Sequence, residues 1–156
     1  EISECLVGSE MCIRDRDSIK LLRECDAGIK MGVTSIDEVL SYVKNPTFRK
    51  LLTECRNKHE KLREEIQMLL LASQDDGKDP NPIAKSMSWM KTNVKLVMDQ
   101  SDETIADLMT DGCNMGVKTL HRYLNQYQGA EEKTKDIAKR LINLEEKLTV
   151  DIRAYL

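Results

Sequence analysis

The chain has 156 residues, of which 33% are charged, 40% hydrophobic and 4% aromatic, with a formal net charge of −3. That length suits one domain with a true core, and the near-neutral charge gives no electrostatic drive toward nucleic acid or an anionic membrane. No apolar run approaches the ~20 residues that span a bilayer, and abundant Leu, Met, Lys and Glu favour helices over sheets.

The first segment stands apart. Residues from Leu6 to Asp15 read, codon by codon, like a translated sequencing adapter, and Arg16 suits its continuation. Residues 1–16 are therefore expected to be foreign to the fold, the native start codon to be missing, and residues 17–156 to form the domain. Setting 1–16 aside removes four acids (Glu1, Glu4, Glu10, Asp15) and two arginines (Arg14, Arg16), which leaves a net charge of −1. Cys5 and Cys12 go with them.

The first helix is expected to start at Asp17-Ser18, a good N-cap pair. Its stripe is Leu22, Cys25, Ile29, Val33, Ile36, Leu40 and Val43, at steps of three and four. Asn45-Pro46 ends it and opens the second helix, with Asn as cap and Pro in the first turn. That helix buries Phe48, Leu51, Leu52, Cys55, His59, Leu62, Ile66, Leu69 and Leu70, and runs to about Ser73. The segment Gln74 to Pro82 is turn chemistry throughout. A shorter helix spans roughly Ile83 to Met98. Ser101 caps the next long helix, with Asp102 and Glu103 in its positive first turn. Its stripe is Ile105, Leu108, Met109, Gly112, Gly116, Leu120, Tyr123 and Tyr127, and Gly129 stops it. The last helix runs from about Ala130, burying Ile137, Leu141, Leu144, Leu148, Ile152 and Tyr155.

Four long helices, each ~40 Å, and one short helix make an all-α protein. Short links make the first pair and the last pair antiparallel. The segment between the pairs is long enough to return along the bundle, which would make the second and third long helices parallel. That is a ferritin-like four-helix bundle with a long crossover carrying a short extra helix. The competing topology is an up-and-down array of five helices.

Cys25, Cys55 and Cys113 remain, with no CxxC spacing, so neither a disulfide framework nor a zinc knuckle is indicated. A hairpin turning near Asn45 puts Cys55 about 15 Å along the axis from Cys25, beyond disulfide reach. Reduced core thiols in a cytoplasmic protein are expected.

A di-metal site in such a bundle needs a carboxylate from each of two helices and a Glu-x-x-His pair from each of the others. His59 has Arg56 three residues before it, and the last helix has no histidine. With the bundle aligned by its turns, the level of His59 holds Gly32 or Val33, Asn114 with Gly112 and Gly116, and Leu144 with Glu145. Asp26 and Asp151 border the core but lie about 18 Å apart along the axis, too far to share a metal. His59 is therefore expected to be a packed core histidine bonded to Glu145 or Asn114. The alternatives are a metal or small-ligand site at His59 and Glu145, or a buried pH-sensing histidine. Gly112 and Gly116 each cost about 1 kcal/mol of helix propensity, and close packing around the imidazole or an aromatic ring would explain them. The acidic row Glu103, Asp107 and Asp111 is expected to be solvated or countered by Lys135 and Lys139, and His121 to be exposed. Met87, Trp89, Met90 and Met98 on the short helix suggest packing or an oligomer contact.

The segments Glu24-Cys25-Asp26-Ala27-Gly28-Ile29, Ser88-Trp89-Met90-Lys91-Thr92-Asn93 and Asp111-Gly112-Cys113-Asn114-Met115-Gly116 resemble small bacterial ferritin-like proteins of unknown function, of the Firmicutes type. The resemblance covers nearly all of residues 17–156 and implies a ferritin-like fold in a cytoplasmic bacterial setting. It implies no activity. Taken together, the expectation is a non-catalytic structural or interaction module, without a cofactor, able to form a homo-oligomer and not directed to nucleic acid or membrane. A binding protein using His59 and Glu145 is the alternative.

Overall fold

The computed structural model describes residues 10–73 and 99–156. They form four helices and no strand: α1 (Glu10–Leu40), α2 (Pro46–Ala72), α3 (Asp102–Gln126) and α4 (Glu132–Asp151), closed by a short 3-10 turn at Arg153–Tyr155. The loop from Gln74 to Pro82, the helix expected over Ile83–Met98 and its Met and Trp side chains lie outside the described residues.

Local chemistry explains most boundaries. The Asn45 side chain accepts from the backbone N–H groups of Thr47 (2.9 Å) and Phe48 (3.2 Å), with Pro46 in the first turn of α2. Ser101 Oγ accepts from Thr104 N–H at 3.1 Å and caps α3. The start of α1 differs from expectation. The helix passes straight through Asp17 and Ser18 from Glu10, because those side chains are engaged elsewhere: Asp17 accepts from Gly129 N–H (3.0 Å) and Ser18 from Glu131 N–H (2.8 Å). They tie down the α3–α4 turn instead of capping their own helix. Gly129 is not in the left-handed region. A Cβ there would sit 2.8 Å from Asp17 Oδ2, so the glycine serves close approach of that carboxylate.

The ends set the directions of the helices. At one end the Asp102 carboxylate accepts from Lys44 N–H (2.8 Å) and Asn45 N–H (2.9 Å) in the α1–α2 turn. There too the Phe48 ring stacks on Tyr155, with centroids 4.5 Å apart. At the other end the first turns of the α1 core stretch meet the α3–α4 turn. α2 and α3 therefore run in the same direction, opposite to α1 and α4. α1 packs mainly on α2 and α3 mainly on α4, while α2–α4, α1–α4 and α1–α3 contacts complete the bundle.

The α1–α2 seam carries one unusual group. Asp26 is fully buried, held by Lys30 (2.8 Å), by the Gln67 amide (2.8 Å) and by Arg63 (3.6 Å). Arg56 reaches Asp37 on the same seam (Nη2–Oδ2 3.1 Å), and Arg140 ties α4 to Glu65 on α2 (Nη1–Oε1 3.1 Å). The core itself falls into two apolar halves. One holds Leu21, Ile29, Leu62, Ile66, Leu120, Ile137 and Leu141 among others. The other holds Ile36, Val39, Phe48, Leu52, Ile105, Met109 and Leu148. Each large side chain so buried contributes about 1.5–3 kcal/mol. Among the described residues, no helix is long and apolar enough to cross a membrane.

Because Asp102 satisfies two backbone donors of a turn far away in sequence, Asp102→Ala is expected to lower stability by about 1–2 kcal/mol. Urea unfolding of the two proteins checks this. Glu103→Ala, one residue on and exposed, serves as the control and is expected to change little.

Candidate functional site

Between the two apolar halves lies a polar layer to which every helix contributes. His59 on α2 and Glu145 on α4 are both buried, at 2% and 8% exposure, and His59 Nε2 lies 3.8 Å from Glu145 Oε1. Sequence alignment by turns places Glu145 at this level, and the structure brings the two together. The other expected neighbour, Asn114, is exposed instead.

The tautomer of His59 follows from its surroundings. Nδ1 lies 2.8 Å from the Cys55 carbonyl oxygen, one turn back on the same helix. A carbonyl only accepts, so Nδ1 carries a hydrogen and donates it. Nε2 is thus the ring position that gains or loses a proton, and it is the one aimed at Glu145. The Cys55 thiol lies 3.5 Å from Nδ1, on the far side of the ring from Glu145.

Glycines on the other two helices give the pair its space. A Cβ on Gly32 of α1 would touch the His59 ring at 3.4 Å. A Cβ on Gly116 of α3 would overlap the Glu145 carboxylate, with Cδ only 2.9 Å away. Gly116 is therefore a core glycine, but the group filling its gap is Glu145 and not the imidazole. Gly112 is not on the core face. It is exposed, nothing lies within 4 Å of its would-be Cβ, and Cys113 takes the buried place. On α4 the same one-residue offset appears: Glu145 is buried and Leu144, expected in the stripe, is half-buried and touches both apolar halves.

Burial dominates the electrostatics. It raises the Glu145 carboxyl above the usual carboxylate range, with His59 partly opposing it. Burial pulls the His59 imidazole down, but its bonds to Cys55 and Glu145 outweigh that and lift it from 6.5 to about 10. The pair as a whole thus holds on to a proton. Burial also pushes the Cys25 thiol up to about 12 and raises Cys113 further. Cys25, Cys55 and Cys113 are free and buried, so Cys25 and Cys113 are neutral thiols and not anionic ligands. Glu145 Oε2 has no hydrogen-bond partner among the described residues.

Cys25 and Cys55 are core thiols as the stripes predict, but the placement of Cys55 and Cys113 beside the His59 layer was not among the expectations from sequence. Cys55 precedes His59 by one turn and Cys113 precedes Gly116 by three residues, spacings that already put them on the same faces. They do not complete a metal site: among the described residues, no group of three or more His, Cys, Asp or Glu side chains is placed to hold a metal ion. Asp26 is committed to its α1–α2 network, and Asp151 pairs with Lys147 at 2.7 Å. His121 is exposed, as are Glu103, Asp107 and Asp111, and Lys135 lies 3.6 Å from Glu132. A separate hollow of about 100 Å³, lined by Ser18, Leu22, Leu69, Glu131 and Thr134 among others, lies at the α3–α4 turn end and does not reach the His59 layer.

The two glycines of α3 separate packing from propensity. Gly116→Ala is expected to cost about 1–3 kcal/mol, since Glu145 must leave its place. Gly112→Ala meets open space and is expected to stabilise by about 1 kcal/mol. Thermal and urea unfolding of both variants check the contrast. No family model, curated protein or solved structure matches this chain.

Proposed function

We propose that this chain is a non-catalytic structural or interaction module built on a ferritin-like bundle. The observation that carries the reading is the state of the mid-bundle layer, where the one imidazole and the one carboxylate face each other and two glycines close around them. The parallel course of α2 and α3 supports the ferritin-like part, with residues 74–98 as the long crossover and the short helix within it. The three segments around Cys25, Trp89 and Gly112 support the same family and, with it, a cytoplasmic bacterial setting. Exposed Met68, Leu71, Met115 and Val150 support self-association as the form of the interaction.

A second reading rests on Glu145 Oε2, a buried carboxylate oxygen without a hydrogen-bond partner. Such an atom is costly unless something meets it, and a metal ion or small ligand at His59 and Glu145 would do so.

Two measurements on the purified chain decide between them. Elemental mass spectrometry is expected to find no stoichiometric transition metal. Iron or manganese at one or two atoms per chain, lost in His59→Ala, would replace the first reading with the second. Gel filtration with light scattering is expected to give a mass above that of one chain, and a strict monomer would defeat self-association.

A further inference from the structure

We propose that the layer of Gly32, His59, Gly116 and Glu145 couples the two apolar halves of the core only while it holds a proton. The layer interrupts three of the four helices at one level. On α2 it falls between Cys55 and Leu62, on α3 between Cys113 and Leu120, and on α4 between Ile142 and Leu148, each pair belonging to opposite halves. On α1 Gly32 lies between Ile29 and Val33 of one half, one turn before Ile36 of the other. Half-buried Leu144 touches both halves and Val33 and Ile36 meet one turn apart on α1, while the buried polar pair occupies this level between α2 and α4.

Because Nδ1 already donates to the Cys55 carbonyl, a second ring proton sits on Nε2 and makes the imidazolium an ion-pair partner of Glu145 Oε1 at 3.8 Å. With that proton, donor faces acceptor. Without it, the imidazole lone pair faces a bare carboxylate, two acceptors in a site with little water to separate them. The other titratable groups within reach are thiols: Cys25 on α1, Cys55 on α2 and Cys113 on α3. Cys25 and Cys113 are held neutral by burial, so they bring no replacement charge.

The sign follows from the two states. The unfolded chain releases the imidazole proton above pH 6.5, while the folded layer keeps it to about pH 10. Stability from the layer is therefore complete below about pH 6.5 and is lost as pH rises toward 10. The raised Glu145 carboxyl has the same sign over a lower window that opens above its ordinary 4.5, so the range above pH 6.5 reports the imidazole.

Hydrogen exchange on the full chain, followed by mass spectrometry, tests this. Peptides covering 62–70 and 137–142 report one half, and those covering 48–55 and 105–113 the other. With the intrinsic base-catalysed rate divided out, protection in the wild type is expected to fall about tenfold per pH unit between about pH 6.5 and about pH 9. The two halves are expected to share one opening at the lower pH and to separate at the higher. In Glu145→Gln an amide donates to Nε2 without titrating, and protection is expected to be flat across the same range. If that variant does not fold, the double replacement His59→Leu with Glu145→Leu takes its place, with the same flat profile expected. A wild-type profile independent of pH, two halves that weaken in step, or a folded variant as pH-sensitive as the wild type would each overturn the proposal.

Discussion

An imidazole and a carboxylate, each taken out of water, meet at the level where the apolar core would otherwise be continuous. Such a pair is expensive to bury and is worth little as net stabilisation against well-packed apolar side chains. Its consequence is geometric. Nε2 reaches Oε1 only if α2 and α4 are at one register, and only if α1 and α3 present glycine at that level. A helix slid by one turn would set Leu62 or Cys55 against Glu145 and leave the carboxylate buried with no cation. The layer thus selects one alignment of four helices whose stripes alone would tolerate several, as a single buried polar position does in coiled coils.

The ends of the bundle repeat that selection by different means. Asp102 bonds the turn at 44–45, and Asp17 and Ser18 bond the turn at 129–131. In each case side chains of one helix satisfy backbone donors in the turn between two others. Orphan N–H groups at a turn must be met by something, and here the partner is supplied by a helix distant in sequence. These contacts fix which helix starts beside which turn, and so make α2 and α3 co-directional.

What the sequence discloses follows from the same physics. Stripes at steps of three and four were legible because each helix buries one arc: Phe48, Leu52, Cys55, His59, Leu62, Ile66 and Leu70 are all inside. Asn45 and Ser101 were legible as caps because their acceptors serve N–H groups two or three residues on. The failures sit at the margins of the arcs. Val39 is buried where Leu40 was expected, Cys113 where Gly112 was, and Glu145 where Leu144 was. Consecutive helical residues differ by about 100°, so two neighbours at the edge of an arc compete, and a distant contact decides between them. For Glu145 that contact is His59. Asp17 and Ser18 looked like local caps because their residue types are right for it, while their true partners lie more than a hundred residues away.

Fold and site carry different amounts of functional information in a bundle of this kind. A four-helix bundle offers four walls around a central axis, and chemistry there depends on which side chains the walls present. Two metals held by carboxylates need several anionic oxygens at one level, both to ligate and to offset the positive charge. Among the described residues this layer offers one carboxylate, already opposed by an imidazole whose other nitrogen is bound to backbone, and its nearest additional sulfurs are protonated or on the far face of the ring. The glycines close the remaining room: Gly116 is filled by Glu145 and Gly32 by His59. To admit an ion, His59 and Glu145 would have to separate and Glu145 leave its berth against α3, undoing the contact that sets the register. Ligand binding and alignment therefore compete for the same two side chains, and the present geometry gives them to alignment.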